Sequence, residues 1–303
     1  MLELNEKKIR KGKPIGLPYQ GSKKKISKKI VEIIKQNFGT DKPVYDIFGG
    51  GGAITAECLL NGLEVHYNDL DETVTSMFQK VVSEDREYLK TLIVSRDEFF
   101  RIREKENKTV DDELKLLVNS FGNDRKTYLY SRKFSDLKYN LAIEIIKKHD
   151  TFSGYKKTDT YKNAYRPFDV GKEKKNQVLN QLKPLQQLER LQQRERLQQL
   201  QCVEATNLDY TEFSGVENAI LYLDPPYENA VLEGYSIDRF NSQSFYNWAY
   251  KMSKKNIVLI SSYEISDERF ECVYEFKNAR STFQGGTNDD RTEKLFMVKK
   301  GEE

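Results

Sequence analysis

The chain is 303 residues long, 38% hydrophobic and 32% charged, with a formal net charge of +3. That length buries a sizeable core in one large domain or in a domain carrying an insertion, and we expect two lobes. No stretch approaches the roughly 20 apolar residues of a membrane span. Met1 is followed by charged residues and no apolar run, so no signal peptide is expected and a cytoplasmic protein is. Cys58, Cys202 and Cys272 are far apart and only His66 and His149 could join them, so buried reduced thiols are expected and a metal centre is not.

Between positions 7 and 29 stand Lys7, Lys8, Arg10, Lys11, Lys13, Lys23, Lys24, Lys25, Lys28 and Lys29, with no acid among them. Ser22 can cap a helix running to about 37, with Ile26, Ile30, Ile33 and Ile34 on one face. A strand over 43–48 leads into a turn of four glycines, Gly49 to Gly52. A helix carrying Ile54, Cys58 and Leu59 follows and stops at Gly62. The next strand, 63–67, ends at Asn68-Asp69, which makes a β-turn-α-β unit, the opening of a parallel sheet.

The pattern over 71–148 is mostly helical, and 150–177 reads as loop with short elements. From 123 to 175 basic residues outnumber acidic ones and alternate with Tyr128, Tyr130, Phe134, Tyr139, Tyr155, Tyr161, Tyr165 and Phe168. Such interleaving suits a polyanion with bases to stack on; a solvated face over an ordinary core is the other reading. A Gln/Leu/Glu/Arg microrepeat over 181–201 places Leu182, Leu185, Leu188, Leu191, Leu197 and Leu200 at multiples of three. That spacing drifts around a helix and gives no heptad stripe, so a surface-exposed linker without chemistry is expected. Strand signals resume at 200–204, 219–223 and 256–261, with a helix over 242–254. Segments 273–276 and 294–298 form a closing antiparallel pair.

Two constellations carry chemistry. The glycine turn after Asp46-Ile47-Phe48 lets a backbone approach a ligand closely, or is merely a tight turn; it fits neither a phosphate loop nor the full dinucleotide pattern. Asp69, at the end of the next strand, is placed either to bind the ribose hydroxyls of an adenosine-containing cofactor or to face solvent in a turn. The second constellation is Asp224-Pro225-Pro226-Tyr227 at the end of a buried strand. Its prolines remove N–H donors and leave rigid carbonyl acceptors beside a carboxylate. Such a pair can accept both hydrogens of an exocyclic amine, and Tyr227 offers a ring for a planar base.

Together Pro18-Tyr-Gln-Gly-Ser-Lys23, Phe48-Gly-Gly-Gly51, Asn68-Asp69 and Asp224-Pro-Pro-Tyr227 resemble, in kind and order, the motifs of Dam-type DNA adenine-N6 methyltransferases of the α group. The resemblance covers about 14–75 and 200–298. It implies an α/β fold, a Rossmann-like methyltransferase sheet, mostly parallel with a closing antiparallel hairpin, plus an inserted, mainly helical DNA-recognition lobe. The expected division is 1–75 and 200–303 for the catalytic domain, 76–180 for the inserted lobe and 181–199 for the linker.

Carried over by residue, the resemblance implies that Tyr19, Lys23, Asp69 and Asp224 contact S-adenosylmethionine. Phe48, Gly49 and Gly51 would line its pocket, and Asp209 would lie near its adenine ring. Tyr19 stands where a tryptophan is common in the family. Lys23 has a competing reading as a solvated or phosphate-facing lysine at a helix start. Arg125, Lys126, Arg132, Lys133 and Arg166 are the candidates for contact with double-stranded DNA, reading bases or holding phosphate.

The implied reaction is methyl transfer to the N6 amine of an adenine flipped from duplex DNA, with Asp224, Pro225, Pro226 and Tyr227 as the catalytic segment, in a monomer or weak dimer. Cytosine-N4 or RNA-base methylation, a DNA-binding module on a degenerate fold and a nicotinamide-dependent oxidoreductase are the alternatives. No Phe-Asn-Val-Pro-like segment lies between positions 71 and 199, so the target sequence is left open.

Overall fold

A computed structural model describes residues 1–18, 21–165, 185–198, 200, 203–228, 240–276 and 292–299. The expectations for Tyr19, Arg166, Phe168 and Cys202 lie outside the described residues. The chain divides into two compact units, Met1–Gln79 with Cys202–Glu303, and Lys80–Gln201.

The first unit is built on seven strands: β1 Val44–Asp46, β2 Val65–Asn68, β3 Ala205–Thr206, β4 Ile220–Leu223, β5 Ile257–Ser262, β6 Phe270–Glu275 and β7 Lys294–Val298. Their order is β3-β2-β1-β4-β5-β7-β6. Strands β1 to β5 run parallel to one another, and β7 runs antiparallel to both β5 and β6. This is the expected mostly parallel sheet with a closing antiparallel pair. Strand β4 lies centrally, in register with β1 (Asp46 opposite Tyr222) and β5 (Leu223 opposite Ile260).

All four residues of β4 are buried because both faces of the sheet are covered. Ile220 and Tyr222 pack on one side with Ile30, Ile33 and Ile54, while Leu221 and Leu223 pack on the other with Phe245 and Trp248 of the helix Ser242–Met252. The first helix begins at Ser27, not near Ser22. A 3-10 turn, Lys23–Lys25, intervenes, and the Ser22 side chain makes no cap bond to it. The amino-terminal arm is fastened to this unit: the Leu2 N–H donates to the Val273 carbonyl at 2.8 Å, and Arg10 forks onto the buried Glu57 with two contacts of 2.8 Å. Part of the basic run thus serves the fold, since Lys29 also pairs with Glu6.

The second unit is helical: Arg86–Lys90, Arg96–Arg103, Val110–Asn119, Ser135–His149, Asp159–Tyr165 and Gln186–Gln198. A reciprocal Thr109–Asp112 cap opens the third of these. The microrepeat departs from its expected role as an exposed linker. Leu185, Leu188, Leu191 and Leu197 are fully buried, as are Gln187 and Arg194. The leucines drift across one broad buried side of the helix, which they share with Gln187 and Arg194, while Glu189 and Gln193 are exposed. Its polar residues serve as internal donors: Arg190 Nη1 donates to the carbonyls of Leu117, Val118 and Ser120, which closes the carboxyl end of Val110–Asn119.

The aromatics expected to stack on bases are also largely inside. Tyr128, Tyr130, Tyr155 and Tyr161 are buried, and the Tyr128 hydroxyl donates to the Val94 carbonyl at 3.0 Å. For these residues the ordinary-core reading holds.

Candidate active site

The parallel strands deliver their polar residues to one edge of the sheet, where each strand ends. Asp46 closes β1 fully buried, its Oδ2 accepting from the Thr55 N–H at 3.0 Å and the Thr55 hydroxyl at 2.6 Å. Burial, opposed by these two bonds, pushes its carboxyl up to about 7. The glycine turn follows. A Cβ on Gly49 would lie 2.4 Å from the Tyr67 ring, and one on Gly52 would lie 2.2 Å from Phe78 with φ at +69°. These two glycines therefore answer to the protein's own rings.

At the end of β2, Asp69 Oδ2 accepts from the Gly50 N–H at 2.7 Å and Oδ1 from the Asp71 N–H at 2.9 Å. The carboxylate thereby fixes the glycine turn, and burial raises its pKa. Asn68 ties three strand ends together, donating to the Ile47 and Leu208 carbonyls and accepting from the Leu208 N–H.

At the end of β4, Asp224-Pro225-Pro226-Tyr227 meets Lys23. The ammonium lies 2.7 Å from Asp224 Oδ2, donates to the Tyr227 hydroxyl at 2.8 Å and stands 3.7 Å from Glu293 Oε1. The Tyr227 hydroxyl in turn donates to Glu293 Oε1 at 2.5 Å, and Ser261 donates to the same oxygen at 2.8 Å. Tyr263 sets its ring edge-on to Tyr227 at 4.7 Å. Burial disfavours the charge on Lys23, but the carboxylates of Asp224 and Glu293 outweigh it and raise its pKa. For Asp224, burial and the nearby Glu293 prevail over Lys23 and push the carboxyl up to about 6.

A pocket of about 170 Å³ opens beside the ends of β1, β2 and β3, lined by Ile47, Phe48, Leu70, Leu208, Asp209, Tyr210, Phe240 and Asn241. Its walls include two exposed leucines, Leu70 at 43% and Leu208 at 44%. Phe48 lies near-parallel to Tyr210 at 6.1 Å between ring centroids. Asp209 uses Oδ1 to cap the turn Tyr210–Gly215 through the Thr211 N–H and hydroxyl.

Of the residues singled out from sequence, Lys23, Asp224 and Tyr227 form one bonded cluster, Phe48 and Asp209 line one pocket, and Asp69 holds the turn that Gly49 and Gly51 belong to. Gly51 directs its carbonyl to the Leu17 N–H at 2.7 Å. Arg125, Lys126, Arg132 and Lys133 belong to the helical unit and are exposed; Arg125 pairs with Glu113 at 2.9 Å. Sequence reasoning missed Glu293, Ser261 and the apolar walls Leu70, Leu208 and Tyr210. Glu293 carries no motif, yet it precedes β7, and an antiparallel strand brings its amino end to the edge where parallel strands finish.

Among the described residues no helix is long and apolar enough to cross a membrane, and no group of three His, Cys, Asp or Glu side chains is placed to hold a metal. A family model described as D12 class N6 adenine-specific DNA methyltransferase matches residues 19–279. No curated protein matches the chain. Among solved structures, the rRNA methyltransferase aviRa from Streptomyces viridochromogenes is similar at 11% identity, covering 90% of this chain and 84% of that one with a TM-score of 0.34. A likeness that slight carries no argument about substrate.

Proposed function

The chain belongs to the D12 class N6 adenine-specific DNA methyltransferase family, and we propose that it moves the methyl group of S-adenosylmethionine to the N6 amine of an adenine flipped out of duplex DNA. The residues fit that cofactor. The pocket walled by Phe48, Leu70, Leu208 and Tyr210, with Asp209 among its lining, suits an adenine ring with an exocyclic amine. Asp69, 8% exposed, offers a carboxylate for ribose hydroxyls while it holds Gly50. Tyr19, Gly49 and Gly51 complete the set. When bound, the cofactor supplies an electrophilic methyl group on a sulfonium.

The remaining work falls to the chain. Asp224, through its carboxylate, and the Pro225 carbonyl accept the two hydrogens of the target amine and direct the nitrogen lone pair toward the methyl carbon. In that transfer the nitrogen would take the methyl group, leaving the cofactor as a thioether, and would pass one proton to the Asp224 carboxylate that already accepts its hydrogen. Pro226 keeps the segment rigid, and Tyr227 presents its ring to the base. Orientation and charge complementarity supply most of the acceleration. Lys126, Arg132, Lys133 and Arg125 hold phosphate or read bases, and Arg166 is proposed with them by its place in the basic stretch.

The observation that carries this reading is the Asp224 carboxylate, 16% exposed and paired with Lys23, beside two prolines at the end of a central strand, within a chain of this family. Digesting treated DNA to nucleosides and weighing them tests it: N6-methyldeoxyadenosine is the expected product. N4-methyldeoxycytidine, or methylated RNA in its place, would redirect the assignment.

A further inference from the structure

We propose that Glu293 is a positioning residue that gives Lys23 a second seat, so that the ammonium withdraws from Asp224 to Glu293 when the target amine enters. This rests on the methyltransfer reading and extends it to a residue outside the motifs.

In the free protein Lys23 occupies the carboxylate that the amine must use, 2.7 Å from Asp224 Oδ2. Leaving that oxygen with nowhere to go would strand a buried ammonium, which is strongly unfavourable. Glu293 removes the obstacle. Its Oε1 already pairs with the same nitrogen at 3.7 Å, and a movement of about 1 Å would shorten that pair to hydrogen-bond distance. The Tyr227 hydroxyl spans the route, accepting from Lys23 at 2.8 Å and donating to Glu293 at 2.5 Å. Ser261 fixes the receiving oxygen from β5 at 2.8 Å.

Two carboxylates for one ammonium exceed what neutralising Asp224 requires, and a buried acid such as Glu293 is costly unless its charge is used. The charged and titratable groups facing Asp224 are Lys23, Glu293 and Tyr227, with Asp46 and Tyr222 behind it, and Tyr263 acts on Lys23. The negative charge of Glu293 therefore acts on Asp224 directly as well as through Lys23.

Glu293→Gln keeps the shape and removes the charge. With Asp carboxyl carbons labelled and Asp224 assigned by Asp224→Asn, carbon NMR of the free protein should place the Asp224 midpoint at about 6 in the wild type. The midpoint should be roughly one pH unit lower in E293Q. Single-turnover methylation of DNA should slow about 10- to 100-fold in E293Q while cofactor and DNA affinities stay within about threefold. Should E293Q fail to fold, Glu293→Asp, which keeps the charge but shortens the reach, should still transfer more slowly than wild type.

An unmoved Asp224 midpoint in E293Q, or wild-type transfer in either variant, overturns the second seat for Lys23. A wild-type protein that folds, titrates as described and methylates nothing overturns the functional reading instead, and the proposal with it.

Discussion

The ammonium of Lys23 rests 2.7 Å from the carboxylate of Asp224, joining the glycine-flanked amino-terminal segment to the end of the central strand β4. Lys23 is buried and Asp224 partly so, and the contact crosses most of the sequence. It brings the two outermost motifs of the chain into one bonded cluster, and it favours the ionised form of Asp224 against burial and Glu293.

That charge state predicts a pH dependence. Burial, with help from Glu293 and against Lys23, raises the Asp224 carboxyl from 3.8 to about 6. The ionised form accepts the amine hydrogen, so activity is present above that value and is lost as pH falls through it, by about tenfold per unit on the acid limb. Single-turnover rates from pH 5 to 8.5 should bend near 6. A flat acid side would show that Asp224 does not act as an acceptor.

Asp46 predicts a pH effect on stability. Its pKa rises on folding from 3.8 to about 7. Between those values the folded state binds more protons than the unfolded one, so stability is lost as pH rises across that window, with no further loss above it. Asp46→Asn has no such group. The melting temperature of the wild type relative to this variant should fall from pH 5 to pH 7.5; an unchanged difference would rule out a neutral buried Asp46.

The turn predicts a packing cost. Gly52 has φ at +69°, and an added Cβ would meet Phe78 at 2.2 Å. Gly52→Ala should destabilise by about 2–4 kcal/mol, from left-handed backbone strain and overpacking. Chemical denaturation measures this. The double change with Phe78→Leu should cost less than the sum, and strict additivity would separate the two residues.

Much of the sheet was legible because its rules are local. Glycine at 49–52, apolar runs ending in Asp69 and Asp224, and turn residues after each strand announce a β-turn-α-β edge without reference to distant contacts. The microrepeat was not legible: its three-residue leucine spacing spreads over a broad buried side shared with polar Gln187 and Arg194, so Leu185, Leu188, Leu191 and Leu197 offered no narrow stripe to read. Tyr128 and Tyr130 misled for a related reason, since alternation with basic residues does not tell which side chain turns inward. Glu293 stayed hidden because its place depends on β7 running antiparallel.

The microrepeat helix makes its own prediction. Arg194 is 1% exposed, donates to the Arg190 carbonyl at 3.1 Å, and its Nε and Nη2 find no partner among the described residues. Burial, with Arg190 nearby, lowers its pKa to about 9. Replacing a poorly compensated buried charge by a flexible apolar side chain is often neutral or stabilising by about 1–4 kcal/mol. Arg194→Met should therefore leave the melting temperature unchanged or raised. A fall of several degrees would point to a compensating partner for the guanidinium.

In the proposed reaction Asp224 orients an adenine amine for methylation. Its most direct measurement is nucleoside mass analysis of duplex DNA treated with S-adenosylmethionine and either the wild-type protein or Asp224→Ala, with the fold of each checked by circular dichroism. N6-methyldeoxyadenosine is expected from the wild type, with a loss of at least about 100-fold in the variant. Equal yields from both folded proteins, or no methylated adenine from the wild type, would contradict it.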